Sequence, residues 1–252
     1  LSGIVGGSST LTSFTANANT ISTVGVNSNA SQSYTGATST TFNGNYNVST
    51  SSNSFTVTGA ALLAGATSIN SGTSSTLSFS STINNAQTLS LSATSGAITV
   101  TGAIGGTSAL TSFTAAGSNT VAVNNVRTTG SQSYTSSTST TLNGTSYLTA
   151  GGSFTTSGAI LLGAGVTIDT TNAGGTPAGA SMNISSTINN AQTLSLVGGT
   201  SGVISVLGIV GGTTPLTSFT TNGNANSTVG VRTTGAQSYT ATTTSSFSGT
   251  YN

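Results

Sequence analysis

Hydrophobic residues occupy every second position in many short stretches of the chain. Because successive side chains of a strand point to opposite faces, this alternation predicts β-strands that each bury one face. Clusters of Gly, Asn, Ser and Thr separate the stretches and are typical of turns. No hydrophobic stripe of helical period is present, so the pattern predicts an all-β fold. The alternating pairs are Phe55/Val57, Leu77/Phe79, Leu89/Leu91, Ile98/Val100, Val121/Val123, Ile204/Val206 and Val229/Val231.

A long internal repeat organises these stretches. Leu-Thr-Ser-Phe-Thr occurs at residues 11–15, 110–114 and 216–220, and residues 81–91 return unchanged at 186–196. The chain therefore holds about two and a half copies of a unit of roughly 100 residues, with approximate bounds 1–99, 100–205 and 206–252. The second copy contains an insertion between Asp169 and Gly179. Insertions are tolerated at surface turns, so we expect this one on a loop.

A finer and less regular period lies inside each repeat, with hydrophobic anchors separated by many steps of about 20 residues. An array of β-sandwich domains of about 100 residues is compatible with the long repeat, and antiparallel hairpin meanders are a further alternative. We favour a parallel β-helix, or β-solenoid, with coils of roughly 20 residues, because one anchor motif recurs along the whole chain. The interpretation is one continuous solenoid segment over residues 1–252, right-handed and uncapped at both ends. The chain begins with Leu1 and starts and stops inside a repeat, so we expect it to be part of a longer protein.

Charge is almost absent from the chain: it has two Arg and one Asp, and no Lys, Glu, His or Cys. Coils of a solenoid lie about 4.8 Å apart, so a charge repeated in register would face its own image and destabilise the stack. Ser, Thr and Asn avoid that cost and can bond to the backbone or to the same residue one coil away. A low-charge composition with a mean hydropathy of +0.17 also argues against disorder. The composition therefore supports a stacked β-structure.

The same composition excludes several classes of function. General acid–base catalysis and transition-metal binding use clusters of His, Cys and carboxylates, and two Arg cannot neutralise a nucleic-acid backbone. We therefore predict that the chain is not an enzyme, has no catalytic, cofactor-binding or metal site and no cofactor, and does not bind nucleic acid. The longest hydrophobic stretches are too short for a membrane span.

Three recurring motifs carry a resemblance to a known family. They are Gly-Gly-x-x-x-Leu-Thr-Ser-Phe-Thr, Ala/Ser-Gln-Ser-Tyr-Thr and Asn-Asn-Ala-Gln-Thr-Leu-Ser-Leu. Together they resemble the repeats of filamentous-haemagglutinin-like adhesins and of other large repetitive bacterial surface proteins. The resemblance implies a right-handed parallel β-helix, export to the bacterial cell surface, and a role in adhesion or in an extracellular fibre.

A few side chains are candidates for binding. Arg127 and Arg232 occupy equivalent positions in two repeats and are expected to be solvated turn residues, with a recurring ligand contact as the alternative. Asp169 is expected to be an ordinary loop residue, since a calcium site needs further oxygen ligands. The recurring tyrosines Tyr34, Tyr134 and Tyr239 are expected in the core with bonded hydroxyls, although exposed rings would stack sugars. Asn-x-Ser/Thr sequences occur at Asn29, Asn47, Asn143, Asn183 and Asn226.

The function expected from these observations is mechanical: a structural protein that forms or extends a stiff extracellular filament or adhesin stalk. Its partner would be itself, through self-association or continuation of the same chain. The main alternative is an adhesin that binds cell-surface glycans. A minor alternative is ice binding by Thr-x-Thr motifs such as those at residues 56–58, 99–101 and 138–140, which do not recur at every coil.

Overall fold

The computed structural model describes residues 1–252 and contains no helix. The chain is a parallel β-solenoid of about 11 turns, with coils of about 22 residues. The predicted fold class is thus confirmed, and the coil is slightly longer than expected. The residues group into two compact units, Leu1–Asn124 and Asn125–Asn252. No helix is present that is long and hydrophobic enough to cross a membrane.

Ten strands build the first unit, and each pairs in parallel with the strand one coil away. They are β1 (Phe14–Ser28), β2 (Gln32–Val48), β3 (Ser54–Thr58), β4 (Ala61–Ser71), β5 (Thr76–Phe79), β6 (Ile83–Asn84), β7 (Thr88–Ala93), β8 (Ile98–Val100), β9 (Ser112–Gly117) and β10 (Thr120–Val123). In-register pairing satisfies the backbone N–H and C=O groups of each inner strand on both of its edges.

Each coil of the first unit has three sides. Side A contains the first part of β1 and β2 together with β3, β5, β8 and β10, which pair in that order. Side B runs through the middle of β1 and β2, the start of β4, β6 and Ile104. Side C contains the last part of β1, β2 and β4 and then β7 and β9.

Eleven strands build the second unit in the same parallel manner. They are β11 (Val126–Thr128), β12 (Gln132–Leu142), β13 (Ser146–Thr149), β14 (Phe154–Leu162), β15 (Val166–Asp169), β16 (Met182–Ile184), β17 (Ile188–Asn189), β18 (Thr193–Val197), β19 (Val203–Val206), β20 (Ser218–Val231) and β21 (Gln237–Tyr251). The insertion of the second repeat follows β15 and forms the connection to β16, as expected of a surface loop.

The hydrophobic alternation places both residues of six of the seven predicted pairs in the core; in the seventh, Val231 is buried but Val229 is half-exposed, because the register of β20 shifts between them. On β3, Phe55 and Val57 are buried while Thr56 is half-exposed, and on β7, Leu89 and Leu91 are buried. The interior is therefore a set of stacked hydrophobic columns, and their contacts replace the water that an exposed strand would bind.

The paired asparagines form turns and bond to the coils on either side. Asn85 and Asn190 have positive φ values of 86° and 88°, a conformation that Asn tolerates better than most residues. Their Nδ2 groups donate to the carbonyls of Leu63 and Leu162 in the coil before, at 3.2 and 3.1 Å. The oxygen of the preceding Asn84 accepts the Thr107 N–H, one coil later, at 3.0 Å. The turn role predicted for these pairs is confirmed.

The long repeat does not correspond to a whole number of coils. Phe14 lies on side A, in the column of Phe55, whereas its equivalent Phe113 lies on side C, above Leu89. The path from Phe14 to Phe113 passes through four full coils of three sides each and then two more sides. One repeat therefore spans fourteen sides. In the second unit, Tyr134 and its equivalent Tyr239 also lie in different columns. Residues equivalent in the long repeat therefore do not stack on one another, whereas like residues of adjacent coils do, as Asn47 and Asn70 show.

Candidate functional site

A buried hydrogen-bond network centred on Gln32 joins two coils of the first unit. Its Nε2 lies 3.0 Å from the Val26 carbonyl, 3.1 Å from Ser28 Oγ and 2.8 Å from the Asn47 carbonyl. Its Oε1 accepts the Tyr34 hydroxyl at 2.9 Å. Gln32 is fully buried, so water cannot replace these bonds. The amide thus fastens the end of one coil to the coil that follows it.

The same network occurs twice in the second unit. Gln132 Nε2 donates to the carbonyls of Val126 and Leu148 at 3.3 and 2.8 Å, and Gln132 Oε1 accepts the Tyr134 hydroxyl at 2.9 Å. Gln237 accepts the Tyr239 hydroxyl at the same distance. The hydrophobic alternation does not predict these glutamines as core residues, because a polar residue at an inward position interrupts the alternation. The available signal was a Gln two residues before the Tyr in every repeat.

The recurring tyrosines are core residues, as predicted. Tyr34 and Tyr134 are fully buried, and Tyr239 is half-buried. Burial raises the pKa of the Tyr34 hydroxyl well above its usual range, and the nearby Tyr46 raises it further. Burial likewise raises the pKa of Tyr134 and of Tyr239. These hydroxyls are neutral hydrogen-bond donors at physiological pH, and the fully buried rings of Tyr34 and Tyr134 are not available to stack sugars.

The two arginines are exposed, but neither lies in a simple turn. Arg127 is the middle residue of strand β11, with its side chain outward. Arg232 directly follows β20, and its Nη1 donates to the Gly212 carbonyl at 2.9 Å. The expectation of exposed side chains is confirmed, and the turn assignment for Arg127 is wrong because the chain stays extended there to pair with β13.

Asp169 was expected to be an ordinary loop residue, and the structure corrects this. It is the last residue of β15 and is only 6% exposed. Oδ1 accepts the Thr171 backbone N–H and the Thr171 hydroxyl, each at 2.6 Å, and Oδ2 accepts the Ala173 N–H at 3.0 Å. The carboxylate therefore binds the first turn of the inserted loop, in the manner of a capping residue.

The Asn-x-Ser/Thr sequences differ in accessibility. Asn29, Asn143 and Asn183 are exposed and Asn47 is half-buried, whereas Asn226 is 2% exposed. Asn226 Nδ2 donates to the Thr240 carbonyl at 2.9 Å. Asn226 is therefore not accessible to a glycosylating enzyme in the folded chain.

The Thr-x-Thr motifs also differ. Those at residues 56–58 and 99–101 lie on side A of the first unit, with Val57 and Val100 buried between outward threonines. This confirms the inward orientation expected of the two valines. In the third motif, at residues 138–140, Ser139 and Thr140 are both buried, so it presents no outward pair.

A small groove lies on the second unit beside Arg232. It is lined by Ile209, Gly212, Val229, Gly230, Arg232, Gly249 and Thr250. Ile209 is 46% exposed, and its side chain lies next to Gly212, where a Cβ would approach Ile209 Cγ2 to 3.1 Å. The groove thus combines a hydrophobic wall, a glycine floor and one cationic side chain.

No protein-family profile, curated protein or solved structure matches this chain. The resemblance to haemagglutinin-type repeats therefore rests on the repeat motifs alone. The chain contains no group of three or more His, Cys, Asp or Glu side chains placed to hold a metal ion.

Proposed function

We propose that this chain is a structural protein that forms or extends a stiff extracellular filament or adhesin stalk. Stiffness would come from in-register stacking of parallel coils, and the filament would grow by continuation of the solenoid or by self-association. The location at a bacterial cell surface follows from the resemblance of the repeat motifs. The proposal concerns mechanics and needs no catalytic group.

The observation that carries this proposal is the buried glutamine–tyrosine network. It recurs at Gln32 and Gln132, which are fully buried, and at Gln237, which is half-buried, and in each case the amide donates to backbone carbonyls of two adjacent coils. A buried and fully paired polar network resists shearing, because any displacement leaves several groups without partners. A hydrogen-bonded link between coils that recurs with the repeat supports a role as a stiff stalk.

The charge distribution supports self-association. Asp169 is buried, so the side-chain charges at the surface are those of Arg127 and Arg232. Weak charge removes the long-range repulsion that keeps many proteins apart. Neutral Ser, Thr and Asn surfaces can therefore approach each other closely.

Electron microscopy and sedimentation of the purified chain test this proposal. We expect rods or bundles whose amount increases with concentration and changes little with salt. The variant Ser90→Lys/Ser92→Lys adds two like charges on side C and should reduce bundling at low salt, with recovery as salt screens them. Monomers at every concentration and salt would contradict self-association.

A second proposal, an adhesin that binds cell-surface glycans, rests on the groove beside Arg232. A flat hydrophobic wall and a nearby guanidinium can hold a sugar ring and an acidic substituent together. A glycan array tests it: binding should be lost in Arg232→Ala and kept in Arg127→Ala, since Arg127 is not in the groove. Equal binding by both variants would exclude this site.

A further inference from the structure

Side A of the first unit carries two outward columns that are mostly hydroxyl side chains over the five coils from β1 to β8; on β10, in the sixth coil, the same columns hold Ala122 and Asn124. Between the two columns runs an inward column that includes Tyr34, Val57, Phe79 and Val100, all buried. We name the outward set the hydroxyl grid; it comprises Thr15, Ser33, Thr56, Ser78 and Thr99 in one column and Asn17, Thr35, Thr58, Ser80 and Thr101 in the other.

The sequence obscures this grid because strict Thr-x-Thr occurs in only two of its five coils. With Ser counted beside Thr, nine of the ten positions carry a hydroxyl, and Asn17 is the exception. On side C of the same unit, eight outward positions on β2, β4, β7 and β9 carry only four hydroxyls, and the other four are Asn or Ala. Those positions are Asn45, Ser68, Ser90 and Thr114, with Asn47, Asn70, Ser92 and Ala116. The hydroxyls are thus concentrated on one side.

The grid is regular in two directions. Its strands pair without a register shift from the start of β2 through β3, β5 and β8. Neighbouring coils are about 4.8 Å apart, and alternate residues of a parallel strand are about 6.6 Å apart. The hydroxyls therefore form a nearly rectangular net fixed by the backbone.

Most of the hydroxyls of the grid are not bonded to the protein. Seven grid hydroxyls make no hydrogen bond with the chain, and only those of Ser80 and Thr101 donate to carbonyls, at 3.3 Å. On side C, Asn47 Nδ2 donates to Asn27 at 2.7 Å and Asn70 Nδ2 donates to Asn47 at 3.1 Å. On side C the amides of Asn27, Asn47 and Asn70 are linked from coil to coil, whereas side A presents hydroxyls that are available to partners outside the chain.

We propose that the hydroxyl grid binds the surface of ice. Ice is a lattice of neutral water molecules with a fixed two-dimensional repeat, so it matches a rigid net of neutral donors and acceptors. Each hydroxyl can replace a water molecule of the lattice, and the Thr methyl groups order the water between them. Since the side chains are already held in register by the solenoid, little ordering is lost on binding.

The chemistry of side A favours ice over other flat ligands. The grid has no charged residue, and its aromatic neighbour Tyr34 is buried, so it lacks the exposed rings that stack on sugars. Thr15 and Asn17 line a cavity at the first coil, but the rest of the grid belongs to a continuous sheet surface, whereas a soluble oligosaccharide or peptide is usually held in a concave site. A crystalline, uncharged and hydrogen-bonding surface is the ligand that this geometry fits.

The test uses the full chain and measures inhibition of ice recrystallisation together with thermal hysteresis. The variant Thr56→Tyr/Thr58→Tyr places two bulky side chains in the centre of the grid. The matched control, Ser90→Tyr/Ser92→Tyr, makes the same alternate-residue change on β7, on side C. Circular dichroism verifies that both variants fold, and binding to crystalline cellulose is measured in parallel.

We expect the unchanged chain and the side C variant to inhibit recrystallisation and the side A variant to lose this activity. A gentler variant, Thr56→Val/Thr58→Val, should retain part of it, because the methyl groups remain. Absence of activity in the unchanged chain, equal loss in the two tyrosine variants, or binding to cellulose without an effect on ice would each overturn the proposal.

Discussion

Gln132 and Tyr134 lie two residues apart on one strand, and the Tyr134 hydroxyl donates to Gln132 Oε1 at 2.9 Å inside the second unit. Both side chains are fully buried. Gln132 is a polar residue that points into the core, and its Oε1 and the Tyr134 hydroxyl each supply the hydrogen-bond partner that the other needs. The bond therefore holds both side chains in place inside the core. Removing either side chain should therefore affect more than one bond.

Gln132→Leu tests the stabilising role of this network. The change leaves the Tyr134 hydroxyl and the carbonyls of Val126 and Leu148 without this partner, so we expect a loss of about 2–4 kcal/mol in the free energy of unfolding. Gln237→Leu should cost less, because Gln237 is half-buried and water can reach its partners. Urea denaturation measures both values. Equal losses at the two positions would show that burial is not the cause.

The buried tyrosines predict how stability depends on pH. In the folded chain the pKa values of Tyr34 and Tyr134 lie above the usual value of about 10, so above pH 10 only the unfolded chain releases these protons. The free energy of unfolding should be nearly constant from pH 7 to 9 and fall above pH 10, by up to about 1.4 kcal/mol per pH unit for each tyrosine. No Lys, His or Cys titrates in this range.

Denaturation series between pH 8 and 11.5 measure this dependence. The variant Tyr34→Phe/Tyr134→Phe serves as the control, and its stability should fall less steeply above pH 10. An identical slope in the variant and the unchanged chain would show that these two hydroxyls are not responsible.

Gly158 provides a test of close packing between coils. Its φ is 93°, and a Cβ there would overlap the carbonyl oxygen of Ser136 in the preceding coil. Gly158→Ala should therefore cost at least about 3 kcal/mol, since it adds a backbone clash to a strained conformation. Gly174→Ala is the matched control: φ is 88° but no atom lies within 4 Å of the Cβ, so about 1 kcal/mol is expected. Comparable costs would argue against the tight approach of the two coils.

Asp169 predicts a local effect. In Asp169→Ala the N–H groups of Thr171 and Ala173 lose their acceptor, so amide hydrogen exchange at these two positions should accelerate. The expected cost in stability is about 1–2 kcal/mol, as for the loss of a capping residue. Asp169→Asn keeps one acceptor oxygen and should retain part of the protection. Unchanged exchange in Asp169→Ala would show that the loop is held by other contacts.

The parts of this fold that follow from periodicity were predictable from the sequence. Alternation at Phe55 and Val57 identified a strand and its inward face, and the side-chain chemistry of Asn identified the turns at Asn85 and Asn190. Asp169 was misjudged, because burial by a neighbouring loop depends on how that loop folds back. The role of Gln132 was missed for a related reason: a buried amide is recognised only when its partners, which lie on other strands, are known.

The position of the candidate site needed the register between strands. The hydroxyl grid joins residues such as Ser33, Thr56 and Ser78, whose spacing of 23 and then 22 positions is not constant along the chain. Because coil length varies, a motif search at a fixed interval does not find the column. Only the pairing of successive strands shows that these residues share a line.

The fourteen-side repeat has a consequence for how such a protein can change over time. If a repeat spanned a whole number of coils, equivalent residues of successive copies would lie on the same side of the solenoid. A substitution copied by duplication of the repeat would then be found on that side only. Here a new copy places the inherited residue on another side of the coil. Phe14 and Phe113 show one such step within the first unit. Duplication of a repeat therefore places a substituted residue on more than one side. The hydroxyl grid is built from successive coils and not from repeat copies, so it can lie on one side alone.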